Sequence, residues 1–408
     1  MRMISKQHET ATEVGQASSL SIVEGGQPRW LSYLFCLLGF WPVIAAALPT
    51  LDLSSDTNRH VIIAQGTEAV YQGHATTLLL PDGKTIFCVW CMNHGGRSGP
   101  LKRSDDGGLT WSDLLPVPES WTKVGNCPSI YRLPDPQGKM RLFVFAVLEL
   151  AGRPDGAMHF AVSEDDGKTW SDMKTAGLKS VMPFTTIVPI EGGKKLLGMT
   201  NIRPDGAATT GKKAAVAQSL STDGGFTWSP LQIVCDTDGF APCEPALVRS
   251  PNGKELLCLM RDENKGMKRT KSESLYMTSR DEGATWSAAK RLPAGLVGDR
   301  HMPRYAPDGR LVVCMRDKTT VFGTFGHFVA WVGRYEDIVN GREGQYRIKL
   351  LRSYKGYDCG YPGVELLPDG TFVATTYIKY RPGPEKNSVV STRFKLSETD
   401  AMAEQAKK

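Results

Sequence analysis

Four copies of the pattern S-x-D-x-G-x-T-W divide this chain of 408 residues more sharply than any other feature. They run Ser104–Trp111 (SDDGGLTW), Ser163–Trp170 (SEDDGKTW), Ser221–Trp228 (STDGGFTW) and Ser279–Trp286 (SRDEGATW), so the closing tryptophans stand at 111, 170, 228 and 286. A period this regular means one supersecondary unit used repeatedly, each unit burying its face against the next. A second series interleaves with the first, in which an apolar alternating run reaches a Pro/Asp/Asn-Gly turn and resumes as another apolar run. Its turn glycines are Gly83, Gly138, Gly193, Gly253, Gly309 and Gly370, spaced 55, 55, 60, 56 and 61 residues apart. Asp-Gly and Asn-Gly supply the positive φ that a tight reversal needs, so each turn reads as a β-hairpin. Six such units, rich in Val, Thr, Phe, Tyr and Trp and poor in helical periodicity, predict an all-β fold: a single six-bladed β-propeller of four-stranded blades.

The strand-like run His60–Ala64, ahead of the first hairpin, is expected to add an outer strand that closes the ring against the last blade. The folded domain is set at residues 49–400. Residues after about Ser397 read as frayed, with 401–408 as a polar tail. In the four repeated turns the Asp carboxylate and the Ser and Thr hydroxyls are read as caps for turn amides, with the Trp covering a blade face. Four copies of a catalytic aspartate would be redundant, so these turns identify the fold and not the site.

Composition bounds the rest. With 41% hydrophobic and 23% charged residues the chain is an ordinary folded protein, not a disordered or fibrous one. Its net charge of +6 is spread along the sequence with no Lys/Arg block, so no nucleic-acid partner is implied, while an anionic small substrate is compatible. Trp30–Ala47 is the longest apolar run; it follows Arg29 and ends in Ala45-Ala46-Ala47, the order of a secretory signal, with an uncleaved membrane anchor as the rival reading. Residues 1–48 are therefore set aside as targeting sequence, and a secreted or periplasmic location is expected. Cys36 lies in that run, and the other eight cysteines would meet an oxidising compartment after export; Cys235 and Cys243 stand near enough in sequence to bridge a loop. Cys88 and Cys91 mimic a C-x-x-C motif but fall in an apolar strand with no second pair, so they read as buried thiols, and no zinc site or other metal is expected.

A propeller site lies over the central axis, where the innermost strands begin. Counting back nine residues from each turn glycine gives His74, Ser129, Phe184, Glu244, Arg300 and Tyr361. The repeated turns resemble the Asp-boxes of sialidases (neuraminidases), and the resemblance covers nearly all of residues 58–395. It implies an exo-α-sialidase-like glycosidase that removes a terminal acidic sugar and needs no cofactor. By that resemblance Tyr361, ahead of the last hairpin, takes the place of the nucleophile. Glu244 takes that of the carboxylate that draws off its proton, and Arg261 that of an arginine holding the substrate carboxylate. A phenol, with its pKa of about 10, needs such a partner near neutrality, and a neutral nucleophile avoids repulsion with an anionic sugar.

The chain also departs from the family. The first of the family's three arginines is missing, since Tyr71-Gln72-Gly73-His74 stands in its place, and for the third the nearest substitutes are Arg316 and Arg304. No Asp lies in Asn93–Arg103, where the family has its acid/base residue; His94 stands there as a candidate proton donor, a role open to imidazoles as a class. His74, Arg97, Arg304, Arg261 and Arg316 are the candidate substrate-binding residues. An acidic glycan is the expected partner and a monomer the expected state. Two alternatives stay open: a non-catalytic glycan- or protein-binding propeller, and a hydrolase or lyase for uronic-acid glycans. The arginines could instead be neutralised by Asp262, Asp299 and Asp317 as ion pairs between blades.

Overall fold

A computed structural model describes residues 48–148, 156–204, 214–263 and 273–406. The strands form six sheets, one for each expected hairpin. Blade 1 is Gln72–Leu79, Ile86–Met92 and Leu101–Ser104. Blade 2 follows with Gly125–Pro134, Met140–Leu148, Gly156–Ser163 and Lys174–Ser180. Blade 3 is Thr186–Ile190, Lys195–Ile202, Ala215–Ser221 and Gln232–Cys235, and blade 4 is Pro242–Arg249, Leu256–Asp262, Ser274–Ser279 and Lys290–Arg291. Blade 5 contains Gly298–Tyr305, Leu311–Asp317, Phe328–Gly333 and Tyr346–Leu351, and blade 6 contains Cys359–Leu366, Thr371–Ile378 and Ser388–Lys395. The first strand of each blade touches the first strand of the next, the sixth meeting the first, so the sheets surround one axis. All six turn glycines have φ between 73° and 89°, the left-handed region their turns require.

Ring closure follows the sequence. His60–Ala64 pairs antiparallel with Ser388–Lys395 and becomes the outer strand of blade 6. A second N-terminal strand was not expected: Thr50–Asp52 pairs in parallel with Tyr346–Leu351 on the edge of blade 5. Three residues are too few to show a period, which hid this strand. Leu48 is buried beside it, within 2.7 Å of where a side chain on Gly295 would begin, so the fold takes in a residue that had been assigned to the targeting segment. The rest of that segment lies outside the described residues. Among the described residues no helix is long and apolar enough to cross a membrane.

The expected C-terminal tail is instead a helix, Leu396–Ala406, whose Leu396, Thr399 and Ala403 are buried. Those three positions share one face at helical spacing. Tyr346 anchors it through hydrogen bonds to Thr399 (2.9 Å) and Asp400 (2.7 Å), and Arg310 forms a two-pronged pair with Asp400 at 2.7 and 2.8 Å.

The repeated turns are built alike. In the second, Ser163 Oγ donates to Asp165 Oδ1 (2.8 Å) and accepts from Gly167 N (2.8 Å), while Asp165 accepts from Thr169 N (2.9 Å) and Thr169 Oγ1 (2.7 Å). The same four bonds recur around Asp106, Asp223 and Asp281. Each Trp leans on the preceding blade: Trp170 meets Phe87 edge-on at 6.5 Å, Trp228 meets Phe145 at 6.1 Å, and Trp286 donates to Gln218 at 2.9 Å. Eight cysteines, Cys235 and Cys243 among them, are buried free thiols, so the bridge that sequence proximity allowed is not made. Cys88 and Cys91 are thiols in the core of blade 1, as their apolar surroundings suggested.

Candidate active site

Five of the six innermost strands carry the same backbone irregularity. The pairing register slips between Gly73 and Thr76, Gly125 and Ser129, Cys243 and Ala246, Asp299 and Met302, and Gly360 and Gly363. At each slip a non-glycine residue has positive φ: His74 (37°), Cys127 (62°), Glu244 (51°), Arg300 (54°) and Tyr361 (51°). A bulge re-aims the side chain it carries, and non-glycine residues in this region hold strain that the surrounding sheet must over-determine. Counting back from the turns therefore found the right place in four blades. In blade 2 the bulged residue is Cys127, two positions before Ser129. Phe184, in blade 3, is an ordinary core aromatic, its ring 4.3 Å from that of Trp228 in a tilted arrangement.

His74, Glu244 and Tyr361 line a cavity of about 380 Å³ over the axis, together with His94, Arg261 and Arg316. Tyr361 Oη donates to Glu244 Oε1 at 2.5 Å, and Arg261 Nη1 donates to the same oxygen at 2.9 Å. Burial, followed by the charges of Cys127 and Glu244, holds the Tyr361 phenol well above its usual pKa. Burial also works against the Glu244 carboxylate, but the Arg261 charge and the Tyr361 hydrogen bond outweigh it and keep its pKa below the ordinary glutamate value. A neutral phenol thus faces an ionised carboxylate, the pairing needed to move a proton from Tyr361 as its oxygen forms a bond.

Asp299 occupies the space beneath the two arginines. Arg316 directs Nε (2.9 Å) and Nη2 (2.5 Å) at its Oδ2 and gives Nη1 to the Cys359 carbonyl (2.9 Å). Arg261 Nε lies 2.9 Å from Asp299 Oδ1, and Lys318 Nζ is 3.5 Å from the same oxygen. The Tyr357 hydroxyl also donates to Asp299, and its ring covers the Arg316 guanidinium at 4.1 Å. Desolvation opposes ionisation of Asp299, yet the three cations hold its pKa far below normal. Of the three aspartates read as possible neutralisers, Asp299 meets these arginines, whereas Asp317 pairs with Arg347 at 2.9 Å; Asp262 caps the Ala241 amide at 2.8 Å.

His94 is at the rim, its side chain 61% exposed, with Nδ1 3.6 Å from Asp358 Oδ1. Tyr71 donates to the same Asp358 oxygen at 2.9 Å and Lys355 pairs with the other at 2.8 Å. Burial opposes the charge on Asp358, but its contacts with His94, Lys355 and Tyr71 keep it ionised far below the usual range. Sequence reasoning missed Asp358 and Tyr357. The signal available was their position, three and four residues ahead of Tyr361 on the segment that enters the site. His74 sits deeper, its ring 4.2 Å from that of Tyr361. Its Nδ1 accepts from Gly95 N at 3.2 Å, which places the proton on Nε2, and Nε2 has no partner among the described residues. Burial, then the charges of His94 and Arg316, pushes its pKa well below the usual value, so the ring is neutral.

Two expected substrate-binding residues are elsewhere. Arg304 lines the cavity at the other mouth of the axis, where it donates to the Val364 carbonyl and pairs with Glu365 at 3.1 Å. Four residues of strand separate it from Arg300, a displacement of about 13 Å. Arg97 is exposed, with Nη1 on the Thr122 carbonyl at 3.3 Å, and is not part of the cavity lining.

Residues 115–275 match the model of the BNR repeat-like domain family. Over 242 residues, 56% of this chain, the sequence is 26% identical to a sialidase from Micromonospora viridifaciens; the match spans 35% of that protein, so the chain covers about a third of that curated relative's length. Among solved structures, an α-L-arabinofuranosidase from Fusarium graminearum bound to an iminosugar inhibitor aligns at TM-score 0.65 and 15% identity, covering 83% of this chain and 98% of that one. An α-L-arabinanase from Penicillium chrysogenum bound to arabinobiose aligns at TM-score 0.61 and 17% identity, over the same shares of each chain. Repeats, family match and blade count agree: the fold is a BNR-repeat six-bladed β-propeller, similar to that of sialidases.

Proposed function

We propose that this propeller is a retaining glycoside hydrolase that releases a terminal sugar from a glycan, with Tyr361 as nucleophile. The observation that carries the reading is the 2.5 Å contact between Tyr361 Oη and the Glu244 carboxylate at the wall of an axial cavity. Both sialidase and arabinan-directed enzymes stand among the similar proteins, which supports glycosidic-bond chemistry and leaves the sugar open.

The roles follow from the contacts. Tyr361 Oη attacks the anomeric carbon and passes its proton to Glu244, while the bond to the leaving oxygen breaks and that oxygen takes a proton from His94 in its imidazolium form. The Asp358 carboxylate beside Nδ1 orients and stabilises that ring, taking the place of the family's missing Asp in this part of the site. Water, deprotonated by His94, then attacks the anomeric carbon; the bond to Tyr361 breaks and the phenolate recovers its proton from Glu244. Two inversions give net retention, the outcome for a covalent intermediate.

The test is fluorophore release from a panel of aryl glycosides by the purified chain, with Tyr361→Phe and Glu244→Gln beside it. Turnover is expected to fall by about 10³-fold or more in both, and proton NMR of the released sugar should show retention. Full activity in Tyr361→Phe would remove the assignment, and binding without turnover would make the protein a glycan-binding module. We also propose export, on the strength of the Trp30–Ala47 run; N-terminal sequencing of protein recovered outside the cytoplasm, beginning near residue 48, is the expected result.

A further inference from the structure

We propose that the site takes an uncharged terminal sugar, because Asp299 already occupies the two arginines that a substrate carboxylate would need. The inference rests on the glycosidase reading above and names its substrate class. Among the cavity's lining residues, Arg261 pairs with Glu244, while Glu263 pairs with Arg203 at 3.3 Å. Below them Asp299 adds a further negative charge, set against Lys318. Arg316 has each of its three nitrogens on Asp299 or the Cys359 carbonyl, and Tyr357 closes over its face. Arg261 is divided between Glu244 and Asp299. To receive a carboxylate, either guanidinium would have to abandon a buried anion, leaving that anion unpaired.

Among the described residues that line the cavity there is no third lysine or arginine. The place of the missing first arginine belongs to His74, whose burial among positive neighbours keeps it neutral. Arg300 is 2% exposed behind the Tyr361 ring and is not among the lining residues, and Lys355 is paired with Asp358 at 2.8 Å. What the site leaves unpaired suits hydroxyl groups instead: His74 Nε2 as a donor and Glu244 Oε2 as an acceptor, both buried and without partners among the described residues. Buried polar groups held in place for sugar hydroxyls give strong discrimination against a ligand that cannot satisfy them. A tyrosine nucleophile does not argue against this, since avoiding repulsion with an acidic sugar permits a neutral one equally. An acidic sugar needs, in addition, a cation not already neutralised.

The experiment compares kcat/KM of the full chain on neutral aryl glycosides (α-L-arabinofuranoside, α-L-rhamnoside, β-D-galactoside) with an α-sialoside and a β-D-glucuronide. Calorimetric binding of the corresponding free sugars is run in parallel. The best neutral glycoside should exceed both acidic ones by at least about 100-fold, and Asp299→Asn should narrow that ratio by about tenfold by releasing one positive charge. Preference for an acidic glycoside overturns the proposal, as does an unchanged ratio in a folded Asp299→Asn; if that variant does not fold, the wild-type ratio decides. Should nothing turn over, binding separates the two readings: a neutral sugar bound in preference to an acidic one keeps this inference while the hydrolase reading fails. Preferential binding of an acidic sugar, or of none, overturns both.

Discussion

The outer turns and the axial bulges are both repeats, and they repeat different things. The four S-x-D-x-G-x-T-W turns keep their residues: each aspartate makes the same bonds to the same hydroxyls and amides. The five bulges keep only a backbone conformation, and carry His74, Cys127, Glu244, Arg300 and Tyr361. Around the turns the carboxylates are satisfied locally, whereas at the axis His74 Nε2 and Glu244 Oε2 have no partner among the described residues. Constancy of sequence therefore marks the scaffold here, and constancy of backbone with changing side chains marks the chemistry.

The comparison breaks if changes in the two regions have like effects. The largest expected difference is at Tyr361: Phe there should cost about 10³-fold or more in kcat while the melting temperature moves by only a few degrees, and a matching collapse of stability would make the residue structural. Next is His94→Ala, expected to lower kcat by about 10²-fold through loss of proton transfer, with the acid or alkaline limb of the pH–rate profile altered; an unchanged profile would return His94 to an ordinary rim residue. Asp165→Ala should do the reverse, lowering the melting temperature by a few degrees with kcat on any substrate unchanged.

The smallest effect is in acid. The Thr169 hydroxyl, then its amide and Ser163, lower the Asp165 pKa to about 2, and Asp106 reaches about 2 although desolvation opposes it. Because these folded values lie below the unfolded one, their contribution is complete above about pH 4. It is lost as the pH falls through about 2. A thermal melt series from pH 5 to pH 2 should slope less steeply for Asp165→Ala than for the unaltered chain, and equal slopes would deny the turn carboxylate its role.

Much of the site was legible from spacing, because a bulge at a fixed distance from each hairpin turn converts position in the repeat into position on the axis. That logic placed Glu244 and Tyr361; Arg304, offered instead by the resemblance as a stand-in for the family's third arginine, lies far enough along its strand to face the opposite mouth. The spacing was silent on Asp358 and Tyr357, since neither belongs to a repeat. It also misjudged the C-terminus, where a helix of low overall hydropathy docks through only Leu396, Thr399 and Ala403.

By itself the sequence determined the blade count, the hairpin turns and the closing strand, because each depends on neighbours in the chain: a glycine at positive φ, an aspartate within reach of its own turn, an alternating strand. Only the tertiary structure decided which charges meet. Tyr361 finds Glu244 across 117 residues, and Asp299 stands under both Arg261 and Arg316 from a strand of its own. Such pairings are fixed by where five bulged strands converge, and the electrostatics that select a substrate depend on that convergence.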